Sequence, residues 1–271
     1  MSSTASHSRS RRLPEHLDKP LYRALVTLGL FDPLRMLSRS LFRFRTQRRA
    51  LKGHGLVPEQ SLQATYVAAL RILRERSGED VGDYLEFGVC HGSSMACMHD
   101  ALTHLEMPHV RKFGFDSFEG LPPEADEQDG GFFSKGQFDS SIDFTRKLLT
   151  SRGIDWKKTF LIRGWFRDTL NPTTAAWYNI RKVGIVMIDC DIYSASKEAL
   201  DFVGPLLADD AVLVFDDWNS GNLAGKNMGE AKAFFEFIEE NPQFSFVQLK
   251  SMYENSAVFL LTRAARDRPA E

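Results

Sequence analysis

Between Ser61 and Arg76 apolar residues fall at Leu62, Tyr66, Ala69, Leu70 and Leu73, the spacing of one helical face, and Ser77-Gly78 follows as a stop signal. Beyond that point the period changes. Short β-type runs alternate with helical stretches: 83–89, 93–104, 112–116, 142–152, 159–163, 183–189, 194–207, 211–216 and 229–240, then 244–249 and 257–262. Such alternation predicts βαβ units around a mostly parallel sheet with helices on both faces. The runs VGIVMID and AVLVFDD are apolar throughout, as strands covered on both sides should be. No helix separates the last two runs, so they predict an antiparallel hairpin at the sheet edge.

The N-terminal region follows another pattern. Residues 1–12 are Ser/Arg-rich with almost no apolar content and predict a disordered tail, and 266–271 form a C-terminal tail. Residues 13–57 read as a helical, basic extension. Within it, 35–52 carry seven Lys/Arg and no acid, with Met36, Leu37, Leu41, Phe42 and Phe44 between them. A basic amphipathic helix of this kind suits a membrane surface or an anionic saccharide. It equally suits a helix packed on its own core or on a second subunit, and charge patterning favours that plainer reading.

Composition narrows the classes. The 271 residues are 43% apolar and 26% charged, with 21 Phe, enough for a large globular core. A net charge of -2 gives no overall signal for nucleic acid. No apolar run approaches the roughly 20 residues of a membrane span. The start lacks the apolar stretch of a secretory signal, and Cys90, Cys97 and Cys190 form no CxxC pair, so a reducing cytoplasm is the expected compartment.

In open α/β sheets ligands bind beyond the carboxyl ends of the strands, and three strand ends here carry chemistry. The first runs from Glu86 through Gly88, Val89 and Gly92 into Ser93-Ser94; its glycines let backbone approach a ligand, and the helix start offers free N–H donors. The second ends in Asp116-Ser117, an acid placed to accept ribose hydroxyls. NAD is compatible with both, although the first loop lacks the GxGxxG spacing that pyrophosphate binding requires. The third signal is the strongest. Asp189-Cys190-Asp191 and Asp216-Asp217 close two apolar runs, and four carboxylates that near would raise one another's pKa unless a cation intervened. Oxygen ligands suit Mg²⁺, Mn²⁺ or Ca²⁺ rather than Zn²⁺. Strand alternation turns Cys190 away from the acids.

Six stretches together, Tyr84 to Val89, Phe115 to Pro122, Lys135 to Phe138, Gly164 to Leu170, Asp189 to Tyr193 and Asp216-Asp217, resemble the macrocin O-methyltransferase (TylF-like) family in order and spacing over about residues 58–262. The resemblance implies a Rossmann-like class I methyltransferase fold, with 58–265 as the catalytic domain. It implies methyl transfer from S-adenosylmethionine to a hydroxyl, typically on a sugar of a natural product, with Mg²⁺. It further implies that Asp189, Asp216 and Asp217 bind the metal, that Asp191 is the general base, and that Asp189 also borders the cofactor. The loop from Glu86 to Ser94, with Gly88, Val89, Gly92 and Ser93, would hold the methionine end, and Asp116 with Ser117 the ribose. Gly164 and Trp165 follow the third strand and are expected at the cofactor, where Trp165 suits either the adenine pocket or a core position at a turn. Homo-oligomers are expected. Where the family loop commonly has an aromatic and an arginine this chain has Cys90-His91, and Cys190 replaces a small glycine.

His91 competes with Asp191 for the role of base, although a histidine in such a loop is more often a packing residue. Residues 119–140 are long for a βα connection and predict a lid or acceptor wall. Its Phe132, Phe133 and Phe138 suit either sugar stacking or anchoring. A catechol-like phenol acceptor, a non-catalytic binding protein and a nicotinamide oxidoreductase are the rival readings.

Overall fold

The computed structural model describes residues 31–50 and 58–264. The N-terminal tail expected to be disordered, the C-terminal tail, and the stretches of the N-terminal extension at 13–30 and 51–57 lie outside the described residues.

The chain enters through helix α1 (Phe31–Ala50) and α2 (Glu59–Ser77) and then alternates strand and helix: β1 (Asp83–Phe87), α3 (Ser93–His104), β2 (Lys112–Asp116), α4 (Ile142–Ser151), β3 (Thr159–Arg163). Two short helices, α5 (Phe166–Thr169) and α6 (Pro172–Trp177), precede β4 (Val183–Ile188), α7 (Tyr193–Val203), β5 (Leu207–Phe215), α8 (Gly229–Glu240), β6 (Phe244–Gln248) and β7 (Ala257–Arg263). The strands form one sheet in the order β3-β2-β1-β4-β5-β7-β6. The first five are parallel and β7 runs antiparallel between β5 and β6. The edge hairpin and the helices on both faces thus match the pattern read from the chain.

Local chemistry explains the boundaries. α2 ends where Gly78 takes φ of 73° and its N–H bonds the Arg74 carbonyl. Ser141 caps α4 by accepting the Phe144 N–H, and Asn171 caps α6 by accepting from Thr174 with Pro172 in the first turn. Alternation along β1 sends Tyr84 and Glu86 to one face and Leu85 and Phe87 to the other. The first face packs on α2 and α3 through Leu62, Tyr66, Leu70, Met95 and Met98. The second packs on α7 and α8 through Phe87, Phe115, Phe215 and Phe234, with Phe234 stacked on Phe259 at 4.3 Å between ring centroids. Truncating a fully buried member such as Leu70 to Ala should cost about 2–5 kcal/mol.

α1 is helical as the basic pattern predicts, yet Leu37, Leu41 and Phe44 stay exposed, so the described chain does not cover that apolar stripe. One tie to the body is the ion pair from Arg43 to Asp139 at 2.8 Å. No helix among the described residues is long and apolar enough to cross a membrane.

Candidate active site

Strand order reverses between β1 and β4, and the sheet opens there at its carboxyl edge. The crevice is a cavity of about 350 Å³. Its floor is made by the ends of β1, β2, β4 and β5: Gly88, Asp116, Asp189, Asp191, Asp216 and Asp217 all line it. Gly88 sits at φ of 89° beside β4, where a Cβ would overlap the Asp189 carbonyl oxygen. Only glycine lets the first loop lie that close to the acid pair.

Asp189, Asp216 and Asp217 are half-buried, and each offers a carboxylate oxygen within 4.8 Å of the others. Asp191 is buried with φ of 68°, an uncommon conformation for a residue with a side chain. Among the described residues no lysine or arginine pairs with any of the four to offset burial and mutual repulsion. Burial first, then the Asp216, Asp217 and Asp191 charges, push Asp189 well above the usual carboxylate range. Burial and Asp217 do the same to Asp191, and raise Asp216 to about 7 against the pull of the Tyr253 hydroxyl. An oxygen-rich, cation-starved cluster of this kind fits a hard divalent cation, which would need three carboxylates and water.

Two further residues complete the cluster, and the strand pattern did not disclose either. Tyr253, in the loop between β6 and β7, donates its hydroxyl to Asp216 Oδ1 at 2.5 Å. Glu230, fully buried in the first turn of α8, accepts the Asp217 N–H on Oε2 at 3.1 Å, while its Oε1 has no hydrogen-bond partner. A loop tyrosine and a helix-start glutamate carry no period or motif of their own. Only the tertiary fold brings them to β5.

The first loop divides. Gly88 and Cys90 line the cavity, whereas Glu86, Val89, Gly92, Ser93 and Ser94, expected around the cofactor with Gly88, are buried and lie outside its lining. Glu86 accepts the Ser94 hydroxyl at 2.5 Å and the Tyr84 hydroxyl at 2.7 Å; Tyr84 in turn meets Tyr66 at 3.0 Å. The reason is the β1 alternation, which points residue 86 into the α2–α3 face. Gly92 is overlaid by Leu149 of α4. His91 is 3% exposed, packs edge-on against Phe144 and is absent from the cavity wall. Burial lowers its pKa to about 4, with the Arg43 charge adding to the effect. That environment is a packing residue's.

Asp116 lines the cavity but is already engaged. Its Oδ2 accepts the N–H groups of Val89 and Cys90 at 2.8 and 2.7 Å, and its Oδ1 that of Phe118 at 2.6 Å. A carboxylate has about four acceptor positions. One remains, on Oδ1, so Asp116 as placed can take one hydroxyl rather than the two expected.

Ser117, Gly164 and Trp165 line the wall above β2 and β3, with the Arg167 guanidinium 5.6 Å from the Trp165 ring. The long connection does form a wall: Gly120, Leu121, Pro122, Glu124, Gln137 and Phe138 border the cavity. Phe133 is buried and Phe132 lies against Gly221, so these two anchor the wall and Phe138 alone faces inward. Ser194, Ala195 and Glu198 of α7 also line the space. Their spacing at three, four and seven residues after Asp191, one and two helical turns on, was the signal available for them. Cys190 borders the cavity but its thiol lies 3.6 Å from the buried Ser196 hydroxyl.

The fold of this chain is shared with solved O-methyltransferases. NovP matches with a TM-score of 0.63 at 16% identity, covering 78% of this chain and 81% of its own. The calicheamicin methyltransferase CalS11 matches at 0.54 with 19% identity, over 82% and 93% of the two chains. At these identities the likeness is one of fold. Residues 41–234, well over half the chain, match the model of the macrocin O-methyltransferase (TylF) family, and the chain belongs to that family. Mycinamicin III 3''-O-methyltransferase of Micromonospora griseorubida is 24% identical over 145 residues, 51% of this chain and 55% of that protein. An 8-demethyl-8-(2,3-dimethoxy-alpha-L-rhamnosyl)-tetracenomycin-C 4'-O-methyltransferase of Streptomyces olivaceus is 24% identical over 143 residues, 51% and 53% of the two chains. The chain thus spans about half the length of these curated relatives.

Proposed function

We propose that the chain is an S-adenosylmethionine-dependent O-methyltransferase acting on a hydroxyl of a sugar or glycosylated natural product, with a divalent cation, Mg²⁺ foremost, at Asp189, Asp216 and Asp217. The observation that carries this reading is the shared cavity. The acid cluster and the Gly88, Asp116 and Trp165 wall open into one space, so an acceptor at the acids and a methyl donor at the wall would meet. Of the two relatives named above, one is named for a rhamnosyl-bearing tetracenomycin and the other for mycinamicin III, which supports the substrate class.

Methyl transfer is an in-line displacement, and alignment of donor and acceptor supplies much of the acceleration. Gly88 and Cys90 present backbone on the donor side. Asp116 holds the loop that bears them, and Trp165 supplies a flat apolar face for a base. The cation would lower the pKa of the acceptor hydroxyl and orient it. Asp191, buried at the edge of the cluster, takes the proton. The wall from Gly120 to Phe138 excludes water and shapes the acceptor space.

The test is calorimetry with S-adenosylhomocysteine and with NAD, followed by turnover on a panel of deoxysugar glycosides and catechols with and without chelator. Binding of S-adenosylhomocysteine and chelator-sensitive methylation of glycosides are expected. Preference for NAD would overturn the class, preference for catechols the substrate, and full turnover in chelator the cation. S-adenosylhomocysteine binding without turnover of any acceptor would favour a binding protein.

A further inference from the structure

The wall over the cavity, residues 117–141, is tied down by one buried carboxylate. Asp129 is 7% exposed and sits at φ of 54° in the middle of this segment. Its Oδ2 accepts the Tyr193 N–H at 2.8 Å and its Oδ1 accepts the Gly229 N–H at 2.7 Å. Beside it, Gln128 Oε1 accepts the Ser194 N–H at 3.0 Å. Tyr193 opens α7 and Gly229 opens α8, so these N–H groups are among those a helix leaves without internal partners. Both dipoles favour a negative group at that point.

The two helix starts are those that carry the acid cluster. Tyr193 follows Asp191 by two residues. Gly229 precedes Glu230, whose carboxylate holds the Asp217 N–H. Ile192, between Asp191 and Tyr193, is fully buried and packs in the same small apolar group as Leu121, Ala125, Phe133 and Leu223, most of it from the wall. One side chain therefore touches the wall, the segment of the proposed base and the segment behind a proposed cation ligand.

We propose that Asp129 is a positioning residue that fastens the cavity wall to the two segments bearing Asp191 and Asp217, so that closure of the wall and the geometry of the acid cluster are set together. The part concerning the cluster rests on the proposed function; the fastening does not. A residue that merely stabilised two helices would lower the melting temperature and leave wall and cluster properties at temperatures well below it unchanged.

Asp129→Asn keeps the shape but turns an amide N–H₂ toward one of two backbone donors, and Gln128→Ala removes only the neighbouring bond. Leu70→Ala, which destabilises the opposite face of the sheet, serves as the control. Trypsin reports on the wall, because Lys135 is the only Lys or Arg in 117–141 and is exposed. Electron paramagnetic resonance with Mn²⁺ alone reports on the cluster. At 15 °C, Asp129→Asn should be cleaved after Lys135 about tenfold faster than wild type and bind Mn²⁺ about tenfold more weakly, the scale of losing an outer support. Gln128→Ala should shift both in the same direction by less, and Leu70→Ala neither. Wild-type cleavage in folded Asp129→Asn and Gln128→Ala overturns the fastening. Faster cleavage with unchanged Mn²⁺ affinity overturns the link to the cluster. A wild-type chain that binds no Mn²⁺ sinks the cation reading instead, and the cleavage rate still decides the fastening.

Discussion

Two groups of buried acid lie on the same sheet and are built on opposite terms. Glu86, on the α2–α3 face, is fully buried, yet each of its oxygens meets a hydroxyl and the chain continues through Tyr84 to Tyr66. It is the sole acid of that network. Asp189, Asp191, Asp216 and Asp217, with Glu230 behind them, crowd five carboxylates against two hydroxyl donors, Tyr253 and Ser220. No described lysine or arginine offsets them. A lone acid with its partners in place belongs to the fold, whereas acids gathered without counter-charge belong to whatever enters the cavity. Asp116 stands between the two cases, exposed to the cavity yet saturated at one oxygen by backbone donors.

The contrast can be broken most severely at Asp191. Asp191→Asn should lower single-turnover methylation about 10²- to 10⁴-fold while leaving Mn²⁺ and S-adenosylhomocysteine affinity within about threefold. Loss of cation binding in that variant would make Asp191 a ligand and erase the division of roles.

Glu86 tests the other side of the comparison through stability. Burial raises its pKa from 4.5 to about 8, with the Ser94 and Tyr84 bonds opposing. The folded chain therefore keeps this proton where the unfolded chain has released it, and the stability it contributes is lost as pH rises from about 4.5 through 8. Glu86→Gln retains an N–H that can donate to the Tyr84 hydroxyl and has no charge to bury. Its advantage over wild type should widen by roughly 3 kcal/mol between pH 5 and pH 8, read by urea unfolding. A constant difference across that range would mean that Glu86 is ionised in the fold and belongs with the reactive acids.

Asn at Asp189, Asp216 or Asp217 should weaken Mn²⁺ binding by at least the roughly 10- to 100-fold seen for loss of a mere outer partner. Added cation should restore part of the turnover. Variants that bind Mn²⁺ as wild type does would leave the crowding of these acids without a purpose. The smallest effect is expected at His91, whose pKa falls from 6.5 to about 4 on burial. The unfolded chain takes up a proton there before the folded chain does, so stability is lost as pH drops below about 6.5. Relative to His91→Leu, the wild type should lose about 2 kcal/mol between pH 7 and pH 5. A turnover loss in His91→Leu comparable to that of Asp191→Asn would restore histidine as the base.

Much of this was legible in the chain. The change from helical to strand period after Gly78, the doubly apolar run from Val183 to Ile188 and the acid pairs that close β4 and β5 depend only on local alternation and on what buried strands must be made of. They sufficed for the sheet, its edge hairpin and the acid cluster. The motifs, taken together, sufficed for the family. Local pattern did not show which face a side chain turns to: Glu86 and Ser94 belong to the first loop by sequence, and the fold buries them together. The short helices after β3 were missed because four and six residues span too little of a helical period to register.

What the tertiary structure alone decided are the long-range partners. Asp216 with Tyr253, Asp217 with Glu230, and Asp129 with both Tyr193 and Gly229 join residues between 13 and 100 positions apart. Their pairing follows from strand order and loop closure, which no window of sequence contains. The order of apolar and polar residues determined the sheet and set acids at the ends of its strands; only the packing of that sheet against its helices decided which acids are satisfied and which remain for a ligand.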